Sequence, residues 1–115
     1  MKRGEVWWAD LGEERPFEQT GRRPVVIWQS DALTAVLHSV LVVPLTTNIR
    51  RSNLAGTAIV LESSGGPPQD SVALAFQLRA IAKSSLRSKI RNLTVSELEE
   101  LETATDEALG RLDPN

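Results

Sequence analysis

Short runs of apolar, β-branched and aromatic residues alternate with polar stretches along most of this chain, and only its C-terminal part changes period. Glu5-Val6-Trp7-Trp8-Ala9 predicts a first strand. Gly12 to Gly21 is a polar loop bounded by glycines, with Pro16 inside it. It is long for a plain hairpin, and loops of that kind are often binding loops or lids. Val25 to Gln29 predicts a second strand with Pro24 at its first position, followed by a short helical turn over Ser30 to Ala35. His38 to Leu45 is a strongly β-branched third strand, and Thr46 to Leu54 a polar, basic loop. Thr57 to Leu61 predicts a fourth strand, and Ser63-Ser64-Gly65-Gly66-Pro67-Pro68 marks the loop from Glu62 to Asp70. Ser71 to Phe76 and Leu78 to Ile81 read as two strand segments or one bent strand, and Lys83 to Arg91 as a stretch opening on a short helix or turn.

The period then changes. Thr94-Val95-Ser96-Glu97 has the spacing of a capping box, in which the threonine hydroxyl and the glutamate each satisfy a free backbone N–H. Leu98, Leu101, Ala108 and Leu112 follow on one face of a helix, with acids on the opposite face. Short strands, polar loops and one terminal helix describe a mainly β (α+β) domain over residues 1–115. The pattern suits a small barrel or strongly curved antiparallel sheet capped by a helix.

Composition narrows the function. The chain has 115 residues, enough for one modest core. Its longest apolar run, Val72 to Phe76, is far too short to span a membrane, and Met1-Lys2-Arg3-Gly4 leads straight into strand-like sequence, so no signal peptide is expected. Cysteine is absent, which removes disulfides, thiolate nucleophiles and thiolate metal sites, and a cytoplasmic location is the simplest expectation. The net charge of −2 hides an asymmetry: residues 97–115 hold seven acids and one base, leaving eight acids and twelve bases in residues 1–96. A basic body of net +4 beside an acidic tail suits a polyanionic partner, although an ordinary solvated surface fits the same count.

The chemistry is bounded by what is missing. His38 is the only histidine, so a histidine pair cannot act as acid and base within one chain. Gly65-Gly66 is followed by prolines and not by the Lys-Ser/Thr of a nucleotide-binding loop. No cofactor and no metal site is expected. What remains is electrostatic catalysis on an RNA phosphodiester, whose own 2′-hydroxyl is the nucleophile. Arg23, before one apolar run, carries a permanent charge and a fork that matches two phosphate oxygens. Thr46, after another, can donate a hydrogen bond to a non-bridging oxygen. Arginine is a poor proton acceptor, and Glu18 in the long loop is a better one on chemical grounds.

Four motifs occur in order: Gly4-Glu5-Val6-Trp7, then Glu18-Gln19-Thr20-Gly21-Arg22-Arg23-Pro24-Val25-Val26, then Val43-Pro44-Leu45-Thr46-Thr47, and finally Asp70-Ser71-Val72-Ala73-Leu74 with Gln77. Together they resemble the MazF/PemK toxins, the ribonuclease halves of bacterial toxin–antitoxin pairs, over about residues 3 to 110. The resemblance implies a compact SH3-like barrel with a C-terminal helix, working as a homodimer. It implies metal-independent cleavage of single-stranded RNA at short sequences, leaving a 2′,3′-cyclic phosphate and a 5′-hydroxyl. The family's catalytic arginine falls on Arg23, its threonine on Thr46 and its loop glutamate on Glu18. Gln77 falls near the RNA groove. Phe17, where the family commonly has a small residue, and Trp28, where many relatives carry a smaller aliphatic one, depart from the pattern and bear on base preference and loop geometry.

RNA enzymes of this kind read unstacked bases by stacking and edge contacts. Phe17 is the best loop candidate for stacking. Gln19, Asn48 and Gln77 are candidates for base edges, and Arg50, Arg51, Arg79 and Lys83 for the phosphate track. Trp7 and Trp8 point to opposite faces of their strand, one toward the core and the other toward an interface or groove. A basic groove would also attract the acidic C-terminal segment of a cognate antitoxin, covering Arg23. A non-catalytic toxin of the same fold that poisons DNA gyrase is the alternative reading, and a plain SH3-like adaptor ranks last because tyrosine is absent.

Overall fold

The computed structural model describes residues 1–12, 20–48, 56–60 and 70–111, with Ile59 and Val60 described by backbone alone. The strands are β1 (Glu5–Asp10), β2 (Arg22–Ile27), β3 (Ser39–Thr46), β4 (Thr57–Val60), β5 (Ser71–Leu74), β6 (Arg79–Ala82) and β7 (Leu86–Asn92). Two α-helices, α1 (Asp31–Val36) and α2 (Val95–Ala108), and two single 3-10 turns complete the described elements. All pairings are antiparallel, in the order β4-β5-β3-β2-β1-β7. The expected curved antiparallel sheet with a C-terminal helix is present. Among the described residues β4 and β7, at the two ends of that order, do not pair with each other, so the sheet is open and not a closed barrel.

One feature departs from the sequence pattern, and a second settles an alternative it left open. Lys83 to Arg91 opens on a turn, as expected, but continues as β7, which pairs with β1 through an irregular register. The two segments after Asp70 behave as one interrupted strand along a single edge of β3: β5 pairs with Leu45 and Thr46, and β6 with Ser39 to Val42. The register shifts by three residues between them, the length of the 3-10 turn Ala75–Gln77 that is inserted.

Strand alternation sorts the core into two clusters on opposite faces. On one face Val6, Val26, Trp28, Val43 and Leu45 pack with Leu101 and Ala104 of α2. On the other, Ala9, Leu11, Val25, Ile27, Val40, Val42 and Ile81 pack together, with Trp7 and Leu86 against them. The capping box of α2 forms as expected: Glu97 N–H donates to Thr94 Oγ1 at 3.2 Å and Thr94 N–H to Glu97 Oε1 at 2.8 Å. The inward face differs from the expected one. Ala104 is buried and Ala108 exposed, Leu112 lies outside the described residues, and Glu97 is buried. That acid tolerates burial because Arg91 donates to both of its oxygens at 2.8 Å. Gly4, at φ 89°, is where β1 passes closest to the helix; a Cβ there would stand 2.7 Å from Leu98 Cδ2.

Candidate active site

One end of the sheet gathers the exit of β1, the entry of β2 and the exit of β3. β2 begins at Arg22, earlier than its apolar run suggests, because β1 pairs with it there: Ala9 faces Arg23 and Asp10 faces Arg22. Beyond the strands the ladder continues through Leu11 N–H to Gly21 O and Gly21 N–H to Gly12 O, both 2.9 Å. Gly12 and Gly21, at φ 84° and 74°, turn the chain out of this base in a conformation that side chains disfavour. The expected glycine-bounded loop therefore leaves from a paired, rigid foot. Phe17, Glu18 and Gln19 within it, like Arg50 and Arg51 in the later loop, lie outside the described residues.

β2 and β3 pair as Val25 with Pro44, Val26 with Val43 and Ile27 with Val42. The pairing stops at two prolines, Pro24 and Pro44, which have no N–H to donate. Both strands nevertheless stay extended, β2 back to Arg22 and β3 on to Thr46. Continuing the same register by two residues sets Arg23 across from Thr46, on the side of the second cluster. Each is fixed from its outer neighbour, Arg23 by Ala9 of β1 and Thr46 by Val72 of β5.

The polar atoms are partly committed. Arg23 Nε donates to Thr20 O at 2.8 Å. Among the described residues nothing pairs with its two terminal nitrogens. The Asn48 backbone N–H donates to Thr46 Oγ1 at 3.2 Å, so the hydroxyl oxygen is occupied as an acceptor and its proton is free to donate. Thr46 is only 7% exposed, which holds that hydroxyl in one place. Among the described residues, a guanidinium with two unpaired nitrogens and an alcohol with an unspent proton thus stand on adjacent strands, an arrangement suited to an anion.

The other sequence candidates are spread more widely. Asn48 is exposed two residues past Thr46, and Gln77 is half-buried in the turn between β5 and β6. Arg79 opens β6 across from Val42, on the face of Arg23 and Thr46 but well along β3 from the latter. Lys83, expected on the phosphate track, is engaged within the fold. Its ammonium donates to Thr34 O and to Leu37 O, clasping the C-terminal carbonyls of α1 instead of facing outward. His38 is exposed, and its carbonyl accepts from Lys83 N–H. Among the described residues no group of three His, Cys, Asp or Glu side chains is placed to hold a metal, and no helix is long and apolar enough to cross a membrane.

The tryptophans resolve differently. Trp28 belongs to the first cluster, donates from its indole to Thr105 Oγ1 at 2.8 Å and carries Arg3 3.9 Å from its ring centre. The bulk that departs from the family pattern thus seats α2. Trp7 packs on the second cluster and donates to Glu5 Oε1 at 2.9 Å. Burial pushes the Glu5 carboxyl up, but hydrogen bonds from Trp7, the Lys2 backbone and Lys89 outweigh it and hold the pKa below its ordinary value. Trp8 joins neither cluster; Arg22 lies 5.9 Å from its ring centre. Sequence reasoning gave Arg22 no role, and only its position between two motif residues marked it.

Comparison with known proteins finds relatives over nearly the whole chain. A family described as PemK-like, MazF-like toxin of type II toxin–antitoxin system matches residues 2–109. An endoribonuclease MazF of Staphylococcus saprophyticus is 34% identical over 110 residues, covering 96% of this chain and 92% of that protein. Among solved structures, a mycobacterial endoribonuclease in complex with its cognate antitoxin superposes with a TM-score of 0.81 at 24% identity, covering 99% of both chains. The Mycobacterium tuberculosis toxin MazF-mt6 superposes with a TM-score of 0.76 at 27% identity, covering 95% of this chain and 98% of that one.

Proposed function

Since this chain belongs to the PemK-like, MazF-like toxin family of type II toxin–antitoxin systems, we propose that it is a toxin that cleaves single-stranded RNA without a metal. The observation that carries the reading is the antiparallel register that sets Arg23 across from Thr46.

The scissile phosphate sits between those two groups. Arg23, anchored through Nε, offers its terminal nitrogens to two non-bridging oxygens, and Thr46 donates its hydroxyl proton to one of them. The 2′-hydroxyl of the preceding ribose attacks phosphorus in line. Negative charge grows on the equatorial oxygens, and a guanidinium already in place stabilises it without reorganising. The 5′-oxygen leaves and takes a proton from water, giving a 2′,3′-cyclic phosphate and a 5′-hydroxyl end. Glu18 is assigned the 2′-proton on chemical grounds. Asn48, Gln77 and Arg79 flank the path, and Phe17, Gln19 and Arg50 belong to the adjoining loops.

The same open cation explains how the toxin is silenced. A cognate antitoxin with an acidic C-terminal segment places carboxylates where the phosphate would lie, a reading supported by the mycobacterial endoribonuclease solved in complex with its cognate antitoxin. A homodimer in the cytoplasm completes the reading. The test is digestion of a pool of unstructured RNAs by the purified protein in excess EDTA, followed by end-group analysis and sequencing of the cut ends. Cyclic phosphate and 5′-hydroxyl ends at one short sequence are expected. An uncut pool, or cleavage that returns only with added metal, would overturn the mechanism.

A further inference from the structure

We propose that Trp8, with Arg22 beside it, is a stacking platform for the nucleobase next to the scissile linkage. The proposal rests on the ribonuclease reading above and adds a substrate contact to it.

The argument starts from what each tryptophan does. An indole is a large apolar surface with one polar N–H, and both are ordinarily used when the residue serves the fold. Trp28 is buried and its N–H is bonded to Thr105. Trp7 packs on the second cluster and its N–H is bonded to Glu5. Trp8 is half-exposed and outside both clusters, and among the described residues its N–H has no hydrogen-bond partner. Its only described ring partner is the Arg22 guanidinium, at 5.9 Å from the ring centre, the outer limit of a cation–π contact. Among the described residues the ring meets a cation at this distance and joins no core cluster.

Position gives this ring a purpose. Trp8 lies across from Pro24, the residue after Arg23, and Arg22 is the residue before it. By alternation Trp8 and Arg22 share the face opposite to Arg23, at the same end of the sheet. On that face α2 covers Val6, Val26 and Trp28, and Trp8 stands beyond this cluster. A single strand gripped at Arg23 and Thr46 that crosses the end of the sheet meets Trp8 within one strand step. Stacking on an indole suits any base, because every base has a π-face, and the adjoining guanidinium either stacks as well or meets the intervening phosphate.

The test uses the RNA sequence identified from the pooled digest. A 2′-O-methyl version that cannot be cut carries 2-aminopurine at each flanking position in turn, and cleavable RNA supplies the kinetics. Trp8→Ala is expected to raise KM about tenfold, within the range of one stacked base, with kcat within about threefold. It is expected to abolish 2-aminopurine quenching at one flanking position, while Trp8→Phe keeps most of both. Trp8→Leu, which retains apolar bulk without a π-face, guards against simple misfolding. A folded Trp8→Leu protein with wild-type KM and undiminished quenching overturns the platform while leaving the ribonuclease reading intact. So does a variant that loses antitoxin binding and keeps RNA binding, which would assign the ring to a protein partner. A wild-type protein that neither binds nor cuts RNA sinks both.

Discussion

Two arginines flank the first strand of this protein and are held in opposite ways. Arg91 of β7 faces Val6, and its terminal nitrogens meet both oxygens of Glu97 at 2.8 Å. The Glu97 hydrogen bond raises its pKa, so the proton is bound even more firmly than usual. Only 11% and 9% of the two side chains are exposed. Arg23 of β2 faces Ala9, and its anchor among the described residues is a neutral carbonyl, that of Thr20. Arg91 is neutralised and stitches β7 to the start of α2. Among the described residues no carboxylate meets Arg23, which under the proposed function leaves its charge for a ligand. On that reading, being met by a carboxylate or by a carbonyl separates a structural arginine from a functional one.

The largest expected effect breaks that comparison at Arg23. Arg23→Ala should lower kcat/KM about a thousandfold, at the upper end for one transition-state donor, with the melting temperature nearly unchanged. Arg91→Ala should do the reverse. It leaves the Glu97 carboxylate buried without its main partner and costs about 2–3 kcal/mol of stability, read from denaturant titration, while folded enzyme keeps its rate. If Arg91→Ala lost rate and Arg23→Ala lost stability, the assignment of the two roles would be reversed.

Thr46 sharpens the comparison at a smaller scale. Its hydroxyl accepts from Asn48 N–H, so Thr46→Val removes both the donor to the phosphate and the acceptor for the turn. Thr46→Ser retains both. The valine variant should lose about a hundredfold in kcat, and serine much less. Equal losses in the two variants would show that the methyl group and its packing matter, and not the proton.

How much of this was legible follows from where the determining contacts lie. The strands with apolar or β-branched patterns, β1 to β6, and the capping box of α2 are local signals, and they were readable. β7 was not, because Arg87, Ser88 and Lys89 are exposed and carry no alternation; it forms by backbone pairing with β1. Glu97 could not be placed inward from its own helix pattern, since its tolerance for burial depends on Arg91, which precedes the helix. Arg23 and Thr46 were identifiable as polar residues beside apolar runs, yet their opposition depends on an antiparallel register between strands joined through α1. The contacts of Lys83 were hidden for a related reason: the carbonyls of Thr34 and Leu37 that receive its ammonium leave no trace in composition.

The smallest expected effect concerns a carboxylate treated in the same two-sided way. Glu5 is 13% exposed and takes hydrogen bonds from Trp7 and Lys89, and its pKa is lowered in the fold. The unfolded chain then binds a proton at higher pH than the folded one. Glu5 therefore contributes stability above the ordinary glutamate value, and that contribution is lost as pH falls through the lowered one. Lys89→Met removes one cause of the lowering and should flatten this acid limb. At pH 7 the cost is about 0.5 kcal/mol, because Lys89 is 41% exposed and solvent screens the pair. Below about pH 4.3 the gap between wild type and variant should begin to close, and it should vanish once the pH lies beneath the lowered folded value. Denaturant titrations at the two pH values read the difference directly, and a gap that stayed constant or widened in acid would show that Lys89 acts by packing its stem on β1 and not through its charge.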